Sequence, residues 1–145
     1  MSPEDQSRLL SQLQTDEGFR SSAYQDSLGF WTIGIGRLID GKKGGGINKD
    51  EALYLLQNDV GSKERQLSAY AWFTGQDSVR QAALTNMAFN LGLDGLLHFP
   101  HFLGYMLNRD SANAVTELIG TPWQQQVGAR ADRIIKQLET GLWAP

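Results

Sequence analysis

A chain of 145 residues fits one domain, or one domain with a small lobe, and can bury a substantial core. With 41% hydrophobic and 20% charged residues it is composed like an ordinary globular protein, and a net charge of −3 offers no basic excess for nucleic acid or an anionic membrane. Cysteine is absent, so disulfides and thiolate metal sites are impossible.

The N-terminus is polar and acidic with no apolar run behind it, so no secretory signal is expected there. No stretch approaches the roughly 20 apolar residues of a membrane span. The expectation is a protein made and kept soluble in the cytoplasm, without stable membrane insertion. Ser2-Pro3-Glu4-Asp5 reads as a helix start, with Ser2 as N-cap, Pro3 in the first turn and acids beside it. Leu9, Leu10 and Leu13 then form an apolar stripe. Gly18 suits a C-cap, which leaves Glu17 in the last turn.

From Phe19 to Ile39 the pattern changes to β-formers: Tyr24, Phe30, Trp31, Thr32, Ile33 and Ile35. Asp26-Ser27-Leu28-Gly29, Gly34 and Gly36 break them into a small twisted hairpin sheet. Asp40–Gly46 reads as a short flexible connection. The capping box Asn48-Lys49-Asp50-Glu51 opens a long helix. A second long helix, opened by Thr74-Gly75-Gln76-Asp77, is apolar on more than one side and should be the central buried one. Shorter helices are expected around Phe102–Leu107 and Ser111–Leu118, and a last one from about Gln126 to Leu138, with Gly141 past its end.

The chemistry-bearing residues are Glu17, Asp26 and Thr32. Each alone has a plain structural explanation: a solvated helix-terminal acid, an aspartate bonding turn amides, and a strand threonine filling the pleat. Yet a carboxylate at Glu17 meets the negative end of the helix dipole, where a cation is preferred, which suits a group that must hold and then give up a proton. Two carboxyl groups facing a cleft are what acid/base cleavage of a glycosidic bond requires.

Taken together, Asp16-Glu17-Gly18, Tyr24-x-Asp26 and Thr32-Ile33-Gly34-Ile35-Gly36 resemble the phage-type (T4-like) lysozymes of glycoside hydrolase family 24. The likeness continues more loosely through Ile47–Ala52, Val79-Arg80-x-Ala82-Ala83-x-x-Asn86-Met87-x-Phe89, Arg130-Ala131-x-Arg133-Ile134-Ile135 and Thr140-Gly141-x-Trp143. The resemblance implies an α+β, lysozyme-like fold. A small N-terminal β-hairpin lobe (about 18–46) would join a larger helical lobe (about 47–145, with the N-terminal helix), and the active cleft would lie between them.

The resemblance further implies an endolysin that hydrolyses the β-1,4 bond between N-acetylmuramic acid and N-acetylglucosamine in peptidoglycan, inverting the anomeric carbon. Glu17 would protonate the leaving oxygen, Asp26 would activate water, and Thr32 would help hold that water. Arg130 matches the arginine that pairs with the catalytic glutamate. Gly36 and Leu38 match the hairpin edge along which the glycan lies, and Phe89 with Asn90 match the wall of the cleft. The implied partners are glycan strands and a holin-type protein that releases the enzyme from the host cytoplasm to the periplasm and cell wall. A monomer without cofactor or metal is expected.

There are departures. Arg37 stands where the T4 type has histidine, which removes a possible local ion pair, and Phe102 falls where a small polar residue is commoner. The acidic charge balance should reduce electrostatic steering towards an anionic wall. A near-match to a P-loop at Gly36–Lys43 lacks the final Ser or Thr and the surrounding βαβ unit, and is rejected. His98 and His101 have no further metal ligands nearby in sequence. Trp72, Trp123 and Trp143 are expected to pack rather than to bind sugars. Two rival readings are a lytic transglycosylase, which needs Glu17 but not Asp26, and a non-catalytic peptidoglycan-binding module that has kept the fold.

Overall fold

The computed structural model describes residues 1–145. Helix α1 (Pro3–Glu17) starts where the Ser2 hydroxyl accepts the Asp5 amide at 3.1 Å, and it stops at Gly18, whose amide returns to the Gln14 carbonyl. Strands β1 (Arg20–Gln25), β2 (Trp31–Gly34) and β3 (Arg37–Leu38) then form an antiparallel sheet in chain order. Tyr24 lies opposite Thr32, and Thr32 opposite Leu38, so these three share one face; Ile33 and Arg37 share the other.

The glycine-rich segment after β3 is not the flexible connection its composition suggests. Residues Gly41–Lys43 form a 3-10 turn capped by the Asp40 carboxylate, and the Gly45 and Gly46 amides bond back to the Asp40 and Leu38 carbonyls at 2.9 and 3.0 Å. A side chain at Gly45 would meet the Leu38 carbonyl and the Asp40 amide at 2.8 Å, so the turn lies directly on the strand it follows.

Helix α2 (Lys49–Leu67) opens with a reciprocal capping box, Asn48 and Glu51 each accepting the other's amide at 2.9 Å. Glu51 also receives the Arg37 guanidinium, so the replacement of histidine by Arg37 creates an ion pair where a loss was expected. After α2 come α3 (Ala71–Thr74), α4 (Ser78–Leu97), α5 (Pro100–Leu107), α6 (Ser111–Thr116), α7 (Pro122–Val127) and α8 (Ala129–Thr140). The last helix starts later than its pattern suggests, at Ala129, and runs on to Thr140. Gly128, at φ 65° and ψ −131°, breaks it from α7 in a conformation that L side chains rarely adopt.

The chain divides into two compact units, Met1–Tyr54 and Leu55–Pro145, with the boundary inside α2. Helix α1 falls in the same unit as the sheet, whereas the resemblance grouped it with the helical lobe. Leu10 and Leu13 of its apolar stripe, together with Glu17, line a hollow with Ile35 and Gly36. The hydrophobic core lies in the second unit and is built around α4, which contributes Ala83, Leu84, Met87, Ala88 and Leu96. Phe102, of unassigned role in the sequence, is fully buried there. Trp72 and Trp123 are buried, but Trp143 is 72% exposed and does not pack as expected.

Asp77 caps α4, accepting the Val79 and Arg80 amides, and its other oxygen meets the Arg80 guanidinium at 2.5 Å. Arg80 also donates to the Leu138 and Glu139 carbonyls at the end of α8. Partial burial opposes the Asp77 anion, but the Arg80 amide and guanidinium outweigh it and hold the carboxyl below its ordinary 3.8. A depressed folded pKa means stability that is present above the unfolded value and lost as pH falls through the folded one. Asp77→Asn, which keeps a capping oxygen, should therefore cost about 0.5–1 kcal/mol at neutral pH, discounted for solvent screening. In urea titrations that deficit should shrink below about pH 4, following the carboxylate's ordinary value.

Candidate active site

The turn between β1 and β2 is organised by Asp26. Its Oδ1 accepts the amides of Leu28 and Phe30 at 2.9 and 2.8 Å, while its own amide donates to the Phe30 carbonyl at 2.9 Å. The turn chemistry legible in the sequence is therefore present, and it uses one carboxylate oxygen. Oδ2 accepts no hydrogen bond within its unit. Thr32 is 5% exposed and donates its hydroxyl to the Phe30 carbonyl at 3.1 Å, which leaves the oxygen's lone pairs to accept from elsewhere. Gln25 is paired with Trp31, and the Asp26 amide bonds Phe30, so Asp26 extends the sheet face that carries Tyr24, Thr32 and Leu38.

Glu17 reaches the same hairpin from the end of α1. A Cβ added at Gly36 would lie 2.7 Å from Glu17 Oε2 and 2.9 Å from its Cδ, so the absence of a side chain at Gly36 gives the carboxyl its place. Gly36 also has φ 67°, which disfavours any other residue. Gly36 and Leu38 line a second hollow with Arg37 and Gly44–Gly46 along the hairpin edge. One short ribbon thus holds Asp26 and Thr32 through its first turn and meets Glu17 at its second.

In the second unit, Arg130 of α8 is held against α4. Its Nε and Nη2 donate to Asn86 Oδ1 at 2.9 and 2.8 Å. Asn86 was legible as part of a motif but not as the residue that aims Arg130. Phe89 is 40% exposed and lines an open, mainly apolar hollow of about 360 Å³ with Leu56, Val60, Ala82, Thr85 and Arg130. Asn90 accepts the Trp123 indole N–H at 2.9 Å, and its amide nitrogen makes no such bond.

A family profile described as Phage lysozyme matches residues 14–139, most of the chain. The chain belongs to the phage lysozyme family. It is similar over 93% of its length to two Dictyostelium discoideum proteins named Probable T4-type lysozyme 2 and Probable T4-type lysozyme 1, at 29% and 27% identity across 95% of each. It is also 30% identical to the Pre-baseplate central spike protein Gp5 of Enterobacteria phage T4, over 92% of this chain but 28% of that one. The α+β arrangement, with one small antiparallel sheet and otherwise helices, is the lysozyme-like fold, and the chain is a lysozyme-type glycosidase.

Because the Glu17 carboxyl is seated against a glycine, Gly36→Ala is a sensitive substitution. The new methyl must displace the Glu17 carboxyl, and a misplacement of about 1 Å can cost roughly 10²-fold in rate. Hydrolysis assays should show that loss in kcat, together with a small drop in melting temperature from the strained backbone. His98 lies outside the hairpin, its Nδ1 2.6 Å from the Asp94 carbonyl in the helix it caps.

Proposed function

We propose that the chain cleaves the β-1,4 bond between N-acetylmuramic acid and N-acetylglucosamine of bacterial peptidoglycan by inverting acid/base hydrolysis. Glu17 delivers its proton to the leaving O4 of N-acetylglucosamine. Asp26 takes a proton from water, and that water's oxygen bonds to C1 of N-acetylmuramic acid on the opposite face of the ring. Thr32 holds the same water through its free lone pairs. Inversion needs room for water, a carboxyl separation of about 6.5–9.5 Å.

The observation that carries this reading is the division of labour within Asp26: Oδ1 is clamped by two amides and Oδ2 is left for a ligand. A structural turn aspartate can also leave its second oxygen unbonded, as Asp40 does; Asp26 differs in sharing its sheet face with the buried Thr32, whose hydroxyl likewise keeps lone pairs to accept with. By the family resemblance, Gly36, Leu38, Phe89 and Asn90 contact the glycan, and Arg130 supports the acid. The biological role follows the same resemblance: a monomeric endolysin held in the host cytoplasm until a holin-type partner admits it to the wall. No helix is long and apolar enough to cross a membrane.

The test is the chemistry of the new chain ends. Purified peptidoglycan digested with the protein and reduced with borohydride should yield muramitol. Glucosaminitol would mean that the other glycosidic bond is cut, and 1,6-anhydro ends that resist reduction would mean a transglycosylase.

A further inference from the structure

Phe30 joins the two groups assigned to the water. Its amide donates to Asp26 Oδ1 at 2.8 Å, and its carbonyl accepts from the Asp26 amide at 2.9 Å and from the Thr32 hydroxyl at 3.1 Å. Any residue has that backbone, so what matters is what keeps residue 30 in place. It lies just outside β2 and follows Gly29, the least restrained residue type. Beside those hydrogen bonds, its half-buried side chain adds a restraint: the Lys43 ammonium sits 4.8 Å from the centre of the Phe30 ring, within cation–π range.

Lys43 is held in turn. It ends the 3-10 turn, its amide bonds the Asp40 carbonyl at 3.0 Å, and the Ile39 and Asp40 amides both donate to the carbonyl of Trp31, the residue after Phe30. The glycine-rich turn therefore grips the hairpin beside Phe30 through backbone and covers Phe30 itself through one cation. The plain alternative is a solvated lysine on an exposed turn, whose removal would change nothing at Asp26.

We propose that Lys43 is a positioning residue for Asp26, acting through the ring of Phe30 to fix the carboxylate and the Thr32 hydroxyl for the attacking water. The proposal rests on Asp26 being the general base.

The experiment compares Lys43→Met, which keeps the length of the side chain without its charge, with Lys43→Arg, Phe30→Leu, Asp26→Asn and the double variant Lys43→Met/Phe30→Leu. Hydrolysis of soluble uncrosslinked glycan strands gives kcat and KM, and amide hydrogen exchange reports on Leu28 and Phe30. Lys43→Met should lower kcat about two- to fivefold, the fold-change expected for an exposed cation–π contact, with KM unchanged. It should also speed exchange at both amides. Lys43→Arg should restore both readouts, and Lys43→Met should add nothing once Phe30 is leucine. A loss that persists in the Phe30→Leu background, or that falls on KM, would overturn the proposal by showing that Lys43 meets the substrate directly. Unchanged kcat and exchange in Lys43→Met, beside an inactive Asp26→Asn, would overturn it while leaving the assignment of Asp26 standing. A fully active Asp26→Asn would overturn both.

Discussion

Glu17→Gln is expected to lower the rate of peptidoglycan hydrolysis by about 10² to 10⁴-fold, the range attributed to a positioned general acid. The loss should fall on kcat and on kcat/KM alike, because the proton is needed only in the transition state. Stability should hardly move. The Glu17 side chain is exposed, and its carboxyl makes no hydrogen bond or ion pair within its unit, so nothing in the fold depends on its charge. A surface change of this kind stays within roughly ±0.5 kcal/mol. Reducing-end release and a thermal melt on the same preparation check both halves. A variant retaining a tenth or more of the activity would remove Glu17 from the mechanism.

Asp26 calls for a pair of substitutions, because it has one oxygen in the fold and one free. Asparagine supplies an acceptor that can take over the Leu28 and Phe30 amides, so Asp26→Asn should fold normally and lose about 10² to 10⁴-fold in rate with its base. Alanine removes the acceptor as well, and should add roughly 1–3 kcal/mol of destabilisation for two amides left without their partner. Urea titration separates the two variants. Equal loss of activity with unequal stability is the signature of an aspartate that serves both the turn and the chemistry. If asparagine kept full activity with 1,6-anhydro products, the transglycosylase reading would replace hydrolysis.

How much of this was legible in the sequence depended on distance along the chain. The caps at Ser2 and Asn48 and the stop at Gly18 were readable because a cap and its amide lie within a few residues of each other, whereas Thr74–Asp77, read as one helix opening, holds both the end of α3 and the cap of α4. The Asp26 turn was readable for the same reason as the caps. What else the pattern missed is held by longer reach. The Gly41–Gly46 segment looks flexible by composition, yet its amides return to Asp40 and Leu38. Arg37 finds Glu51 on the next helix, and Arg80 finds carbonyls at the far end of the chain.

The site divides in the same way. The identities of Glu17, Asp26 and Thr32 came from a motif, but the reason Glu17 can sit where it does is the bare backbone of Gly36, a contact no periodicity reveals. Arg130 could be named from the motif near the end of the chain. The side chain that aims it, Asn86, belongs to another helix. Trp143 shows the opposite failure: a large aromatic at a matching position proved to be exposed.

At the centre of the account stands a single displacement, in which Asp26 sends water to the sugar from the side opposite the departing group while Glu17 protonates that group. The most direct measurement is the anomeric form of the sugar at the instant of its release, read by proton NMR on soluble glycan strands before mutarotation. The account predicts that α-configured N-acetylmuramic acid appears first and decays towards the equilibrium mixture. Initial release of the β anomer would mean two successive displacements through a covalent intermediate, and would contradict it.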